Sequence, residues 1–527
     1  MRRPEEIAAR LRGGRAAGRG WAGGPAPMFR VALPLAAGIA LGARFETDWV
    51  PLAVTAGVAA WIAVRRAGRV GNLAFLLFAV CVGGLLATLH RTGNGMPAGR
   101  KLRVELELEA GSSVAGGSGR WNDYVARTRR WSVAEDVPAA AADTGGRWFA
   151  AVQKVVFRAD TAWRLAPGER LLVGPVYVNP MADTTRYGRL MRARGYAAAI
   201  YLPAWSRVER SGGPVRSAAA RLSRFHEAAS ARLRSLPLSP EAAGVCAAMG
   251  AGDRRWIPDE LRSAYNRAGA AHLLAVSGLH VGIVFLLVNL LLYPLSLLRR
   301  GHVVKNLLVV AAVWGYALAA GLSPSAVRAA CMFSMFQLSL AASVGYYGFN
   351  ALCGAAALML AFDPYALFDI SFQLSFVAVA ALLVWYRPVA SWFRTRSRAV
   401  NLLCGTTVVG LVASVATAPL VACAFGRVPL LGVALNVPLA VSAHVVVLVS
   451  ALWMLFPWPP LAALAGPLLE WSVSVQNRLV ESCASVGWAS PEVRLPAEWT
   501  VVIYGVLVVA TAAVGRRNPD GDFRSGE

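Results

Sequence analysis

His272, Ser277 and His280 lie in the run His272-Leu273-Leu274-Ala275-Val276-Ser277-Gly278-Leu279-His280-Val281-Gly282, which leads into a long apolar segment. A bilayer offers no water to satisfy such groups, so polar side chains there face a bundle interior or a hydrated path. The two histidines are eight positions apart, slightly more than two helical turns. That spacing predicts one continuous helix with both on one face and Ser277 one turn before His280. Two chemistries suit the stripe. It can line a path for a polar solute, or Ser277 and His280 can serve an intramembrane hydrolase as nucleophile and base, with Asp253 or Asp369 as orienter. The second lacks a Gly-x-Ser-x-Gly elbow and a His-Glu-x-x-His zinc motif, and the six histidines (His90, His226, His272, His280, His302, His444) are dispersed. The seven cysteines form no CxxC pair and read as small hydrophobes. The reading is therefore a non-enzymatic chain with no metal site and no cofactor.

Further polar residues interrupt later apolar runs: Ser323, Ser325 and Arg328, then Gln373 and Ser375, then Asn436. They stand in or beside expected helix breaks at Gly321 to Pro324, Asp363-Pro364, Pro419 and Asn436-Val437-Pro438, since proline and glycine disrupt helices. Broken helices that meet at the midplane are a common way to build a transport path. An arginine inside an apolar helix must find an acid, carbonyls or a phosphate. Asp363 or Asp369 is the expected structural partner for Arg328.

The signature resembles that of the ComEC competence family, integral membrane proteins that carry single-stranded DNA across the inner membrane during transformation. Met249-Gly250-Ala251-Gly252-Asp253-Arg254-Arg255-Trp256-Ile257-Pro258 and Gly269-Ala270-Ala271-His272 are similar to the family's approach to it. Downstream, Gly321-Leu322-Ser323-Pro324-Ser325-Ala326-Val327-Arg328-Ala329, Asp363-Pro364 with Asp369-Ile370-Ser371-Phe372-Gln373-Leu374-Ser375-Phe376, Ala418-Pro419, and Phe425-Gly426 through Asn436-Val437-Pro438 match successive family blocks in order. The resemblance implies a channel for single-stranded DNA in the bacterial inner membrane. It also implies a DNA-uptake receptor and a cytoplasmic motor as partners, since no phosphate-binding Gly-x-x-x-x-Gly-Lys-Ser/Thr loop occurs. Many members carry a metallo-β-lactamase-like domain with a His-x-His-x-Asp-His site. That motif is not found here, so strand degradation is expected to fall to a separate nuclease. A membrane-anchored nucleic-acid-binding scaffold is the remaining alternative.

Composition leads to the same class. With 56% hydrophobic residues among 527 and a mean hydropathy of +0.49, the chain reads as a mainly α polytopic membrane protein with about 11–12 transmembrane helices, by analogy with ordinary span lengths. Expected spans are 29–44, 50–64, 71–90, 272–298, 303–321, 326–344, 350–362, 369–386, 400–423, 430–456 and 499–514, with 461–485 interrupted by Glu470, Gln476, Asn477, Arg478 and Glu481. The arginine-rich start at 1–28 precedes an uncleaved anchor. The positive-inside rule puts that start, Arg65, Arg66 and Arg69, Arg299, Arg300 and Lys305, and Arg387 through Arg398 in the cytoplasm. If 461–485 crosses, the tail at 516–527 is cytoplasmic as well. The net charge of +24 favours an anionic partner, either phospholipid headgroups or nucleic acid.

Between the N-terminal helices (29–96) and the second membrane block (269–515), residues 97–212 change character. Alternating runs Lys101–Glu109, Tyr124–Val133, Trp148–Phe157, Arg170–Val178 and Tyr196–Val208 predict a small inserted β-barrel or sandwich, with a helix before the last run. Five runs fit an OB-fold, which the resemblance also implies. Three crossings place this insert outside the membrane. Interleaved cations and aromatics suit a single-stranded nucleic acid, and Arg127, Arg129, Arg130, Trp131, Arg186, Arg189, Arg192 and Arg194 are the candidate contacts. Residues 213–268 read as a basic amphipathic helical connector on the membrane surface.

Overall fold

Long apolar runs have one way to satisfy their backbone without water, and they fold as helices. The computed structural model describes residues 28–44, 49–66, 68–89, 101–110, 121–133, 148–150, 153–160, 163, 165, 168–181, 188, 191, 196–210, 218–298, 301–341, 348–393, 395–429, 432–486 and 490–517. Helices α1 (Phe29–Arg44), α2 (Trp49–Arg65) and α3 (Arg69–Leu89) come first. Glycines let α1 and α3 meet backbone to backbone. A Cβ at Gly38 would lie 1.9 Å from the Val80 carbonyl oxygen, and one at Gly83 would lie 2.2 Å from that of Leu35.

The β domain follows: β1 (Lys101–Ala110), β2 (Trp121–Val133), β3 (Phe149–Ala150), β4 (Lys154–Asp160), β5 (Arg170–Pro180), β6 (Tyr196–Leu202) and β7 (Val208–Arg210). Strands pair in the order β1-β2-β4-β6-β5, and β5 also pairs with β1; the β4–β6 pair is parallel. Leu102, Val104, Leu106 and Leu108 of β1 alternate into a core shared with Phe157, Leu171, Val173, Ile200 and Leu202. Two expected runs are split. The run at 148–157 divides into β3 and β4, because Thr128 and Gln153 bond to each other at the junction, Thr128 N–H to the Gln153 carbonyl and Gln153 N–H to Thr128 Oγ1. The last run divides into β6 and β7 at Pro203, which has no N–H to donate and whose carbonyl accepts from Trp163 Nε1 at 3.1 Å. Most of the expected helix at 179–196 lies outside the described residues.

The connector contains α4 (Ala218–Arg234), α5 (Pro240–Ala251) and α6 (Asp259–Arg267). It is more than a basic surface strip. After Glu241, α5 carries only Ala, Gly, Val, Cys and Met, and Val245 through Met249 are fully buried at the centre of the largest core. Helix α4 docks through His226 Nδ1 on the Ala319 carbonyl (2.7 Å) and through its Arg232 carbonyl, which accepts from Trp453 Nε1 (2.9 Å).

The remaining helices are α7 (Gly278–Leu291), α8 (Gly301–Ala319), α9 (Pro324–Ala341), α10 (Gly348–Phe362), α11 (Ile370–Ser391), α12 (Arg398–Phe425), α13 (Gly432–Leu455), α14 (Pro459–Ala484) and α15 (Ala497–Arg517). Among the described residues, five segments are long and apolar enough to cross a membrane: Arg69–Leu89, Gly301–Ala319, Ile370–Ser391, Val400–Phe425 and Pro438–Leu455. Shorter apolar helices cover Val50–Arg65, Gly278–Leu291, Gly348–Phe362 and Ala497–Thr511. Two expected breaks are absent: Pro419 and Pro438 sit inside continuous helices. Each proline removes a single backbone donor, a loss that a packed membrane helix absorbs. The other two breaks are present. Gly321 and Leu322 both adopt left-handed backbone (φ 68° and 51°) with the Leu322 N–H bonded to Ala317 O, and Pro364–Phe368 forms a 3-10 turn before α11.

Candidate functional site

The signature does not form one helix. Residues 270–277 fold as turns that bury Leu273, Leu274 and Val276, and α7 begins only at Gly278 with Ser277 as its N-cap. His272 is exposed in those turns, with Nδ1 3.1 Å from the Gly269 carbonyl, and so shares no helix face with His280. His280 is fully buried in the first turn of α7. Its Nδ1 accepts the Ser277 backbone N–H at 3.3 Å, and its Nε2 is buried with no partner. The Ser277 hydroxyl does not bond to the ring, and among the described residues no carboxylate bonds to it, so the Ser-His-Asp arrangement is not assembled there. Asp369 caps α11 through the Ser371 N–H.

Asp253 is committed elsewhere. It accepts from Ser230 Oγ at 2.6 Å, from Arg255 Nε and Nη2 at 2.8 Å each, and from Trp256 Nε1 at 3.1 Å. Burial alone would raise this carboxyl, but the bonds and charge of Arg255, with Ser230, hold it well below the ordinary carboxylate range. Next to it, Arg254 Nε donates to the Leu274 carbonyl at 2.8 Å and fastens the turns that carry the signature.

Arg328 is where the separate blocks meet. It is 5% exposed, in the second turn of α9. Its Nη2 approaches Ser325 Oγ at 3.4 Å and would lie 3.1 Å from a Cβ at Gly278, while its guanidinium carbon is 5.8 Å from the centre of the Phe376 ring on α11. Among the described residues no carboxylate forms an ion pair with it, so the expected pairing with Asp363 or Asp369 is not present, and Nη1 is buried without a partner. The other candidates surround this point unevenly. Ser323 accepts from the Ala326 N–H (3.4 Å) at the start of α9, Ser375 is half-buried on α11, and Gln373 Nε2 turns back to the Leu367 carbonyl (3.0 Å). The side chain of Asn436 lies outside the described residues.

Two buried polar networks escaped the sequence reading. Gln337 Nε2 on α9 donates to Asn289 Oδ1 on α7 at 3.1 Å and reaches Asn306 Oδ1 on α8 at 3.4 Å. Ser442 on α13 donates to Gln476 Oε1 on α14 (2.9 Å), Gln476 Nε2 to the Tyr265 hydroxyl (2.9 Å), and that hydroxyl to Asn477 Oδ1 (2.8 Å). Of the residues that interrupt 461–485, Gln476 and Asn477 therefore point inward from an unbroken α14, whereas Arg478 and Glu481 are exposed. Lone amides in apolar runs carry the same signal as His280 and could have been found by it.

On the β domain the arginine candidates are matched by acids. Arg127, Arg129 and Arg130 pair with Glu109, Glu107 and Glu105 across the β1–β2 ladder, at 2.7 Å for the first and 2.5 Å for the second. Trp131 is buried and stacks on Phe149 with centroids 4.6 Å apart, a core role. Arg186, Arg189, Arg192 and Arg194 lie outside the described residues. A different surface row stands out. Lys101 sits opposite Tyr177 and over its ring, and Arg158 sits opposite Tyr201 and over its ring. With Val178 opposite Ile200, Tyr177 and Tyr201 occupy the next position of the β5–β6 pair, and both are exposed. The row therefore reads cation, ring, ring, cation across four strands.

The profile of the family described as "Competence protein" matches residues 249–518, from the Met249 block to the end of α15. The chain belongs to the competence protein family. "ComE operon protein 3" of Bacillus subtilis is 27% identical over 52% of this chain and 34% of its own length. "Recombination protein 2" of Haemophilus influenzae is 30% identical over 29% of this chain and 20% of its own. An uncharacterized Aquifex aeolicus protein is 32% identical over 41% of this chain and 49% of its own. This competence protein thus spans a half or less of the length of these relatives in the matched region. No solved structure matches it.

Proposed function

We propose that this competence-family protein is a channel of the bacterial inner membrane that takes up single-stranded DNA during natural transformation. The observation that carries the reading is the convergence of three separated blocks, at Gly278, Ser325 to Arg328 and Phe376, on a buried guanidinium that no acid pairs with among the described residues. Apolar helices do not retain such a group for packing, and a path for an anionic strand gives it a use. The relatives' names, a protein of the ComE operon and a recombination protein, agree with that role. In this reading about 11–12 helices cross the membrane. His272, Ser277 and His280, with Ser323, Ser325, Arg328, Gln373, Ser375 and Asn436, border the path near its ends and its centre. In this reading a DNA-uptake receptor and a cytoplasmic motor act with the chain, with a separate nuclease if strand degradation occurs.

Single-strand passage into inverted membrane vesicles, with this protein as the only variable, tests the proposal. His280→Gln keeps polarity and rough size, so it should cut passage at least tenfold while membrane levels hold. Unchanged passage would make His280 a packing residue.

The β insert is read as an OB-fold-like barrel on the outer side of the membrane. The ring of pairings β1-β2-β4-β6-β5-β1 with its parallel β4–β6 pair supports that fold. The strand contact moves from the β2 arginines to the row Lys101, Tyr177, Tyr201 and Arg158, where rings can stack on bases while cations track phosphates. Tyr177→Ala with Tyr201→Ala in the full-length protein should weaken binding of a single-stranded oligonucleotide by ~2 kcal/mol, at roughly 1 kcal/mol for each lost stack. Fluorescence anisotropy measures it, and Arg129→Ala should do less because Glu107 already neutralises that side chain.

A further inference from the structure

We infer that the junction of α7, α9 and α11 is a binding site for one phosphodiester group of a nucleic-acid strand, held by Arg328 against the N-terminus of α7. The inference deepens the transport reading and rests on it. Helix α7 starts at Gly278, and the N–H groups of a first turn have no acceptors within their own helix and carry partial positive charge. Into that turn points a guanidinium that is 95% shielded from solvent, with Nη1 unpaired and a single long contact from Nη2. The would-be Cβ of Gly278 lies 3.1 Å from Nη2, so any side chain there would fill the gap between helix start and guanidinium.

His280, two positions after Gly278, stands on a different side of the same turn and is not part of this contact. Because Nδ1 accepts the Ser277 N–H, the proton of the neutral ring sits on Nε2, which is buried and without an acceptor. The unpaired Nη1 of Arg328 beside a helix N-terminus, with no carboxylate paired to it among the described residues, calls for a compact anion with several acceptor oxygens. A phosphodiester fits, with one negative charge and two free oxygens for the guanidinium and the helix start. A lipid headgroup carries the same group, but headgroups belong at the membrane boundary. Arg328 is instead enclosed between three helices of the competence block.

The experiment uses the purified full-length chain in detergent, a fluorescent ten-nucleotide single strand, and the variants Arg328→Gln and Gly278→Ala. Both variants should weaken binding about tenfold. Arg328→Gln should also lower the slope of log affinity against log salt by about 0.7, the value for one phosphate of a single strand. A methylphosphonate version of the strand, which lacks the charge, should bind wild type and Arg328→Gln alike. Without DNA, Arg328→Gln should melt at or above the wild-type temperature, because it removes an unpaired buried charge.

Unchanged affinity and slope would overturn the site. So would a fall in melting temperature or a failure to accumulate, either of which marks Arg328 as structural. Stabilisation of wild type but not Arg328→Gln by short-chain phosphatidylglycerol, with the oligonucleotide slope unmoved, would assign the site to a lipid headgroup and overturn the proposal equally. Vesicle passage separates the two levels. Passage that needs the protein but ignores Arg328→Gln sinks the site and leaves the transport reading standing, whereas no passage by wild type sinks the transport reading.

Discussion

Gly38→Leu should drive α1 and α3 apart and lower the stability of the detergent-solubilised protein by at least ~3 kcal/mol, the upper range for overpacking a well-filled contact. Even a methyl group at Gly38 would sit 1.9 Å from Val80 O, 2.7 Å from Val80 C and 2.9 Å from Val80 Cα, and none of these atoms can rotate away. Gly83 makes the reciprocal approach to Leu35, and Gly42 meets Gly84 across the same interface. Close backbone approach through small residues is the main source of helix association where lipid is as apolar as leucine. Gly57→Leu on α2 is the control, because a Cβ there meets nothing within 4 Å. Thermal melting of both variants checks the expectation, and equal melting temperatures would show that the α1–α3 contact carries no stability.

Asp253→Ala should cost about 3 kcal/mol, within the range for breaking a buried charge pair from one side. The substitution strands Ser230 and Trp256 and leaves Arg255 with Glu227, 3.8 Å away, as its remaining acid. The same carboxylate sets an acid limb. Its pKa in the folded chain lies below the unfolded value of roughly 3.9, so its contribution is complete above that pH and is lost as pH falls through the folded value. Between about pH 4 and pH 2 the melting temperature should therefore fall more for wild type than for Asp253→Ala, so that the gap between them narrows without closing.

Much of this fold can be read along the chain, because membrane spans and alternating strands are local patterns. The spans expected at 29–44, 71–90 and 400–423 fall on α1, α3 and α12, and most of β1, β2 and β5 follows directly from alternation. The start of α7 was legible too, but it was outweighed. Ser277-Gly278 is a plain N-cap signal, yet the apolar residues 273–276 suggest continued helix when they are in fact tucked into the core as turns. Facts that depend on what lies across a gap were not legible. The glutamates that neutralise Arg127, Arg129 and Arg130 depend on strand register, with bulges between Glu105 and Leu106 and between Leu108 and Ala110. That no described acid pairs with Arg328 depends on three helices separated by up to about a hundred positions.

The N-terminal helices precede the family-matched region, yet they are stitched to it. The Met28 N–H bonds to Asn350 Oδ1 (3.0 Å), Tyr365 OH donates to the Ala87 carbonyl (3.1 Å), and Leu35 and Ile39 share a core with Met359, Leu360 and Phe372. The boundary of resemblance is therefore not a boundary of folding. A fragment cut to residues 249–518 would bare the flank of α10 and the 3-10 turn before α11, which anchors the Asp369-to-Phe376 block. The N-terminal helices thus brace the block that carries Phe372 and Phe376, and substitutions in them reach that block through packing alone.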